Sequence, residues 1–163
     1  MSVERKPVAF GDLRGWIEAL KAAGEINEVN AEVDWNVEIG TIMRLAQGAG
    51  DGPALMFNNI KDYNSKDSLC RRVYGCGLSS YARVCMMLGL PKDTHPRELV
   101  KLGRSLLNER IPPKVVATGP VKENILKGAD IDLHQFPVPK WHFRDGGRYI
   151  LTFAAIEIGR AHV

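Results

Sequence analysis

The 163-residue sequence contains only three cysteines, Cys70, Cys76 and Cys85, and none of them shows the Cys-x-x-Cys spacing of a zinc ribbon. An odd number of cysteines also argues against a secreted scaffold held together by disulfides. We therefore expect reduced thiols in a cytoplasmic protein, with Cys85 as a small core residue on an apolar helix.

Long apolar runs and basic clusters are missing as well. No stretch has the length of a signal peptide or a membrane span. The 22 basic and 19 acidic residues give a net charge of +3, and Arg71-Arg72 is the only adjacent arginine pair. A nucleic-acid binder usually carries a basic stripe with interleaved aromatic residues. The composition thus predicts neither a membrane span nor a nucleic-acid partner.

The sequence also lacks a complete phosphate-binding loop. The stretch "YGCGLSS" places Gly75 and Gly77 between a predicted strand and a predicted helix, where backbone N–H groups can bind an anion. It lacks the third glycine and the lysine of the established patterns. A plain strand-to-helix turn is the favoured interpretation.

A metal site is not indicated either. The polar side chains near the end of the chain do not have the spacing of a helical ligand pair, and carboxylates beside turns usually cap them. We assign no catalytic and no metal-binding residue from spacing alone. The side chains considered are Asp130, Asp132, His134, His142 and Asp145.

Alternating helix and strand patterns are present up to about residue 110. In "FGDLRGWIEALKAAGEI", Asp12 is a candidate N-cap and Gly24 a candidate C-cap. The helical spacing predicts one buried apolar face, made of Leu13, Trp16, Ile17 and Leu20. The alternation of predicted helices and strands indicates an α/β layer unit over residues 1–118. Its other predicted elements are strands in "EINEVN", "PALMFNNI" and "CRRVYGC", and helices in "NVEIGTIMRLAQ", in "YARVCMMLGL" after Ser79 or Ser80 and before Pro91, and in "PRELVKLGRSLLNE" with Thr94 as N-cap.

Beyond "IPPKVV" the pattern changes. Glycine and proline become frequent, the apolar pieces are short, and helical periodicity is absent. This composition predicts the start of a separate all-β unit with tight turns over residues 119–156.

Three stretches carry a resemblance to a known family. "FGDLRGWIEALKAAGEI", "PALMFNNIKDY" and "GPVKENILKGADIDLHQFPVPKWHFRDGGRYILT" resemble, in this order, the N-terminal part of the UbiD family. The family's members are decarboxylases that depend on prenylated FMN. The resemblance implies an α+β protein, in which an N-terminal α/β layer domain precedes the first strands of an incomplete, FMN-binding split β-barrel.

The resemblance also implies an activity and its cofactors. The expected reaction is reversible decarboxylation of aromatic or α,β-unsaturated carboxylic acids with prenylated FMN, Mn²⁺ and K⁺. A flavin prenyltransferase would supply the cofactor, and a homo-oligomer is expected of the full-length protein. Thr152 matches a position near the flavin in relatives and is the one cofactor contact that carries over. The family's catalytic and metal-binding residues are expected after the residues present here.

The resemblance therefore suggests an N-terminal fragment that is inactive alone. We expect residues 157–163 to be an artefactual tail, because "EIGRAHV" matches the translation of a common sequencing-library adapter. The alternative is a genuine short, non-catalytic binding or assembly module that partners a full-length UbiD-like subunit.

Overall fold

The computed structural model describes residues 6, 8–48, 50–108 and 112–150. Its regular elements follow the predicted order of helices and strands. They are α1 (Leu13–Ala22), β1 (Ile26–Val29), α2 (Glu38–Gln47), β2 (Ala54–Phe57), β3 (Val73–Gly75), α3 (Tyr81–Met87) and α4 (Pro96–Leu106).

The three strands form one small sheet in the order β1-β2-β3. β1 and β2 are parallel, with Ile26 opposite Ala54, whereas β3 runs antiparallel to β2, with Gly75 opposite Leu55. A parallel pair needs a long crossover connection, which the segment containing α2 provides. β3 is therefore an edge strand that follows β2 through a long loop.

Alternation along β2 explains why helices cover both faces of this sheet. All four residues of β2 are buried. Ala54 and Met56 pack with α1, in a cluster that includes Trp16 and Leu20. Successive side chains of a strand point to opposite faces. The intervening residues pack with α2, in the cluster of Val33, Ile39, Met43, Leu55, Phe57, Ile60 and Tyr63.

The ends of α1 agree with the sequence pattern, whereas α3 ends at Met87, before the predicted end at Pro91, and the N-cap of α4 also differs. Asp12 caps α1 by accepting hydrogen bonds from the backbone N–H groups of Arg14 (2.8 Å) and Gly15 (3.1 Å), and Gly24 beyond its end has φ +68°. The Thr94 assignment is wrong. Pro96 is the first residue of α4, so its N-cap is His95, whose Nδ1 accepts from the Arg97 N–H at 3.1 Å.

Residues 112–150 differ from the predicted all-β unit. Their described part contains three 3₁₀ turns, at Pro120–Lys122, Gly128–Asp130 and Leu133–Gln135, and no strand. Its backbone bonds are mostly local, such as Ile131 N–H to Gly128 O at 3.3 Å. Glycine and proline interrupt the segment too often for a continuous ladder. The barrel is thus not confirmed: Tyr149 and Ile150 lie outside any strand, and residues 151–153 lie outside the described part.

None of the helices described here is long and apolar enough to cross a membrane.

Candidate functional site

A groove of about 710 Å³ opens between α2, β3 with the turn after it, and the segment 136–150. We call it the α2-side groove. Its lining is mainly apolar and aromatic, with Arg72 and His142 among the polar members. An apolar cleft with a few polar groups is the usual form of a small-molecule site. Other lining residues are Met43, Val73, Phe136, Pro139, Trp141, Tyr149 and Ile150.

Backbone contacts attach one wall of this groove to α2. Lys140 N–H donates to Trp35 O at 3.0 Å, and Val37 N–H donates to Lys140 O at 2.8 Å. Gly40 faces Trp141 so closely that a Cβ there would lie 2.6 Å from the Trp141 carbonyl oxygen. Position 40 requires glycine, because a Cβ there would have to displace the backbone of Trp141. Backbone yields less easily than the end of a flexible side chain.

Arg148 ties the end of the described chain to the sheet unit. Its guanidinium lies 3.4 Å from the centre of the Trp35 ring, and its Nη1 donates to the Tyr63 hydroxyl. Tyr63, itself buried, donates onward to His134 O at 2.7 Å. A cation over an indole face is attracted to the ring, so this stack holds the Arg148 side chain against the sheet unit.

The indole of Trp35 is itself held by a hydrogen bond from its ring nitrogen. Its Nε1 donates to Asp62 Oδ2 at 2.9 Å, and Asp62 has φ +68° in the loop after β2. Nearby, Lys61 binds Asp34 at 2.7 Å. This hydrogen bond lowers the pKa of the Asp34 carboxyl, and the charge of Arg148 lowers it further. The carboxylate of Asp62 thus holds the indole on which Arg148 stacks.

The "YGCGLSS" turn is the predicted connection from β3 to α3. Ser80 caps α3 by accepting from the Arg83 N–H, and Ser79 donates to Gln47 Oε1 at 2.6 Å. Burial raises the pKa of the Cys76 thiol, which disfavours the nucleophilic thiolate. The turn thus connects β3 to α3, and its two serines bind α3 and α2.

Sequence reasoning missed Arg83, whose side chain is fully buried. It donates to Gly52 O (2.7 Å) and Ser79 Oγ (3.1 Å) and pairs with Glu25 Oε2 (3.3 Å). The available signal is an arginine next to Val84 and Cys85 on a short apolar helix. Arg83 therefore joins α3 to β1 and to the loop before β2.

The carboxylates near the end of the chain cap turns, as their positions suggest. Asp132 accepts from the His134 N–H and Asp145 from the His142 N–H, each at 2.8 Å. Within the described ranges, no group of three His, Cys, Asp or Glu side chains could hold a metal ion. Thr152 lies outside these ranges. The described residues therefore do not supply a ligand set for a flavin-bound metal.

Two family profiles match the chain in sequence order. The profile described as the 3-octaprenyl-4-hydroxybenzoate carboxy-lyase N-terminal domain, UbiD_N, matches residues 17–103. The Rift-related domain of the same carboxy-lyase, UbiD, matches residues 114–159. Together they include the three strands, α2, α3, parts of α1 and α4, and the segment that lines the α2-side groove.

Similar proteins agree with these profiles. The chain is 37% identical over 150 residues to pyrrole-2-carboxylic acid decarboxylase of Pseudomonas aeruginosa, covering 87% of this chain and 29% of that protein. The closed form of vanillic acid decarboxylase from Sedimentibacter hydroxybenzoicus is 30% identical with a TM-score of 0.71, covering 88% and 29%. An evolved dimeric form of the UbiD-class enzyme HmfF from Pelotomaculum thermopropionicum, in complex with prFMN, is 25% identical with a TM-score of 0.64, covering 83% and 29%. The chain thus spans under a third of the length of these relatives.

Proposed function

The chain belongs to the UbiD carboxy-lyase family, and from this premise we propose that it contributes the N-terminal part of a decarboxylase for aromatic or α,β-unsaturated carboxylic acids. The observation that carries the proposal is the match of both profiles in the family's order. In the proposed organisation, residues 1–118 form the α/β domain and residues 119–156 begin the flavin-binding barrel. We place the protein in the cytoplasm and expect its full-length form to be a homo-oligomer.

The proposed cofactor is prenylated FMN, made by a flavin prenyltransferase and held with Mn²⁺ and K⁺. When bound, it supplies the electron sink that decarboxylation requires. Thr152 is the contact that we assign to it. The described residues lack a three-residue metal ligand set, so we assign them no chemical step.

The described residues have a positioning role in this proposal. Arg148 precedes Thr152 by four positions, and its stack on Trp35 fixes the chain just before that contact. The backbone bonds of Lys140 hold the same segment against Trp35 and Val37. A rigid approach to the cofactor contact is what a preorganised site needs, because small displacements of a positioned group reduce rates strongly.

A chimera tests the proposal directly. Residues 10–152 would replace the matching N-terminal segment of the Pseudomonas pyrrole-2-carboxylic acid decarboxylase, to which this chain is 37% identical. We expect a chimera that retains prenylated FMN and decarboxylates an aromatic acid, because the exchanged segment would then provide a compatible positioning surface. A folded, monodisperse chimera without flavin would count against the proposal.

A binding experiment with the isolated chain distinguishes this proposal from the assembly-module alternative. With prenylated FMN and manganese, we expect neither flavin retention nor carbon dioxide release from the chain by itself. The measurement is flavin absorbance after gel filtration. Tight stoichiometric flavin binding would show that the chain holds a complete site and would contradict the proposal. Stable co-purification with a full-length UbiD-like subunit, with its activity unchanged, would favour the alternative.

A further inference from the structure

The chain after α4 contains two parts that differ in how they contact the rest of the protein. The first part, residues 112–133, is called the connecting segment; its residues 112–118 and 122–133 are all exposed. Among the residues that the structure describes, it makes no hydrogen bond to residues 6–108, and its bonds are local, such as Lys122 Nζ to Ala117 O at 3.2 Å. The connecting segment therefore does not hold the following residues against the sheet unit.

The segment 134–150 is instead anchored at its start, its middle and its end. At its start, His134 O accepts a hydrogen bond from the Tyr63 hydroxyl at 2.7 Å. In its middle, the backbone of Lys140 makes two hydrogen bonds, at 3.0 and 2.8 Å. At its end, the Arg148 guanidinium lies 3.4 Å from the centre of the Trp35 ring and donates to Tyr63. Anchors along the whole length hold the segment more firmly than any single contact.

Burial accompanies these anchors. Pro137 and Pro139 are buried, and Trp141 packs against the core cluster on the α2 side of the sheet. A Cβ at Gly40 would lie 2.6 Å from the Trp141 carbonyl oxygen, so the segment approaches α2 with no side chain between them. Burial of apolar surface stabilises a contact whether or not a covalent connection joins its two sides.

The segment also has hydrogen bonds that hold its own shape. Trp141 Nε1 donates to Tyr149 O, and the Tyr149 N–H donates to Pro139 O, each at 3.2 Å. Inside the loop that these bonds close, Asp145 accepts from the His142 N–H at 2.8 Å. A ligand that already has its bound shape loses less conformational entropy when it binds.

We infer that the face formed by Trp35, Gly40 and Tyr63 is a binding site for the segment 134–150 of the same chain, and that it holds this segment without the covalent connection through residues 112–133. The connection then only raises the local concentration of the segment, as a flexible linker does. The site and its occupant both lie in the described part of the chain. The inference therefore needs no further polypeptide and does not depend on the proposed decarboxylation.

Cutting the connection in the full chain tests the inference. A recognition sequence of equal length for a site-specific protease replaces residues 112–118, and the folded chain is cleaved there. The two fragments should elute together in gel filtration at micromolar concentration, because the anchors and the buried residues lie outside the cut. Separate elution of the fragments would overturn the inference.

Substitution of Arg148 shows whether the observed anchors hold the fragments together. In the cleaved chain, Arg148→Ala should weaken their association by about five- to thirtyfold, because a cation–π contact and a hydrogen bond are lost. Sedimentation over a dilution series measures this association. The matched control, Arg144→Ala, changes an exposed arginine of the same segment and should leave the association unchanged. Equal weakening by both substitutions would overturn the assignment of the site to the face around Trp35.

A labelled peptide distinguishes reversible binding from trapping during folding. A fluorescent peptide of residues 134–150, added in excess to the cleaved chain, should displace the C-terminal fragment, and its anisotropy should rise. A cleaved chain that excludes this peptide at about millimolar concentration would overturn the inference, because the segment would then be retained only by having folded with the chain.

Sedimentation of the uncleaved chain identifies whose segment fills the site. A monomer supports the assignment to the same chain. A dimer that cleavage converts into monomers of paired fragments would show that two copies exchange their segments, and would overturn that assignment.

Discussion

The guanidinium carbon of Arg148 lies 3.4 Å from the centre of the Trp35 ring, although 113 positions separate the two residues in the sequence (148 − 35). This stack, with the bond from Arg148 to Tyr63, connects the last described residues to the sheet unit. Substitution of Arg148 therefore tests how the segment 134–150 is attached to the sheet unit.

Arg148→Ala should loosen that segment without unfolding the sheet. Loss of the cation–π contact and of one hydrogen bond should cost about 1–2 kcal/mol. Hydrogen exchange should show faster amide exchange across 134–150, with exchange in β1 and β2 unchanged. Arg144→Ala is the control, because Arg144 is exposed and makes no ion pair in the described structure. Equal effects of both substitutions would show that the stack contributes nothing specific.

Two helical glycines form a matched pair for the contact between α2 and Trp141. Gly40→Ala should destabilise the fold by about 1–3 kcal/mol, because its Cβ would lie 2.6 Å from the Trp141 carbonyl oxygen. Gly103→Ala on α4 should stabilise by about 0.4–1 kcal/mol, since no atom lies within 4 Å of the added Cβ. Urea unfolding of both variants measures the difference. A stabilising Gly40→Ala substitution would mean that the segment does not dock on α2 in solution.

Arg83→Met should be the most destabilising of these substitutions. It would leave Gly52 O without its buried donor and would remove one of the two cations that bind Glu25, whose bond to Lys92 at 2.7 Å remains. Leaving a buried acceptor unsatisfied costs about 1–3 kcal/mol, and loss of the charged bond to Glu25 adds to this cost. Arg97→Met is the control on an exposed helix surface and should change the free energy of unfolding by less than about 0.5 kcal/mol. A small effect at Arg83 would indicate that its pairing and desolvation nearly cancel.

Local sequence signals account for the elements that were predicted correctly. The cap at Asp12 and the apolar run of β2 are encoded within a few residues, so both were found. The burial of Arg83 depends on Glu25, 58 positions away, and no periodicity links the two residues. Leu13 has the spacing of a buried residue, yet it stays exposed because nothing in the described chain covers it.

The site was less predictable than the sheet for the same reason. Helical or strand periodicity indicates which face of an element is apolar, but not which distant segment packs on it. The stack of Arg148 on Trp35 arises from tertiary contacts that the residue pattern does not contain. The resemblance named Thr152 alone as a cofactor contact, and that assignment stays a prediction.

Glu25 should make stability depend on pH in the acid range. Its hydrogen bond to Lys92, at 2.7 Å, is the main cause of a folded-state pKa below the ordinary value of 4.5, and the charge of Arg83 adds to it. A carboxyl with a lowered pKa stabilises the fold fully above its unfolded-state pKa and loses that contribution as the pH falls through the folded-state value. The free energy of unfolding should therefore decline from about pH 5 downward, and Glu25→Gln should flatten that decline. Glu123→Gln, at an exposed glutamate that makes no ion pair in the described structure, is the control. If both variants follow the wild-type pH profile, Glu25 is not the group that links protonation to unfolding.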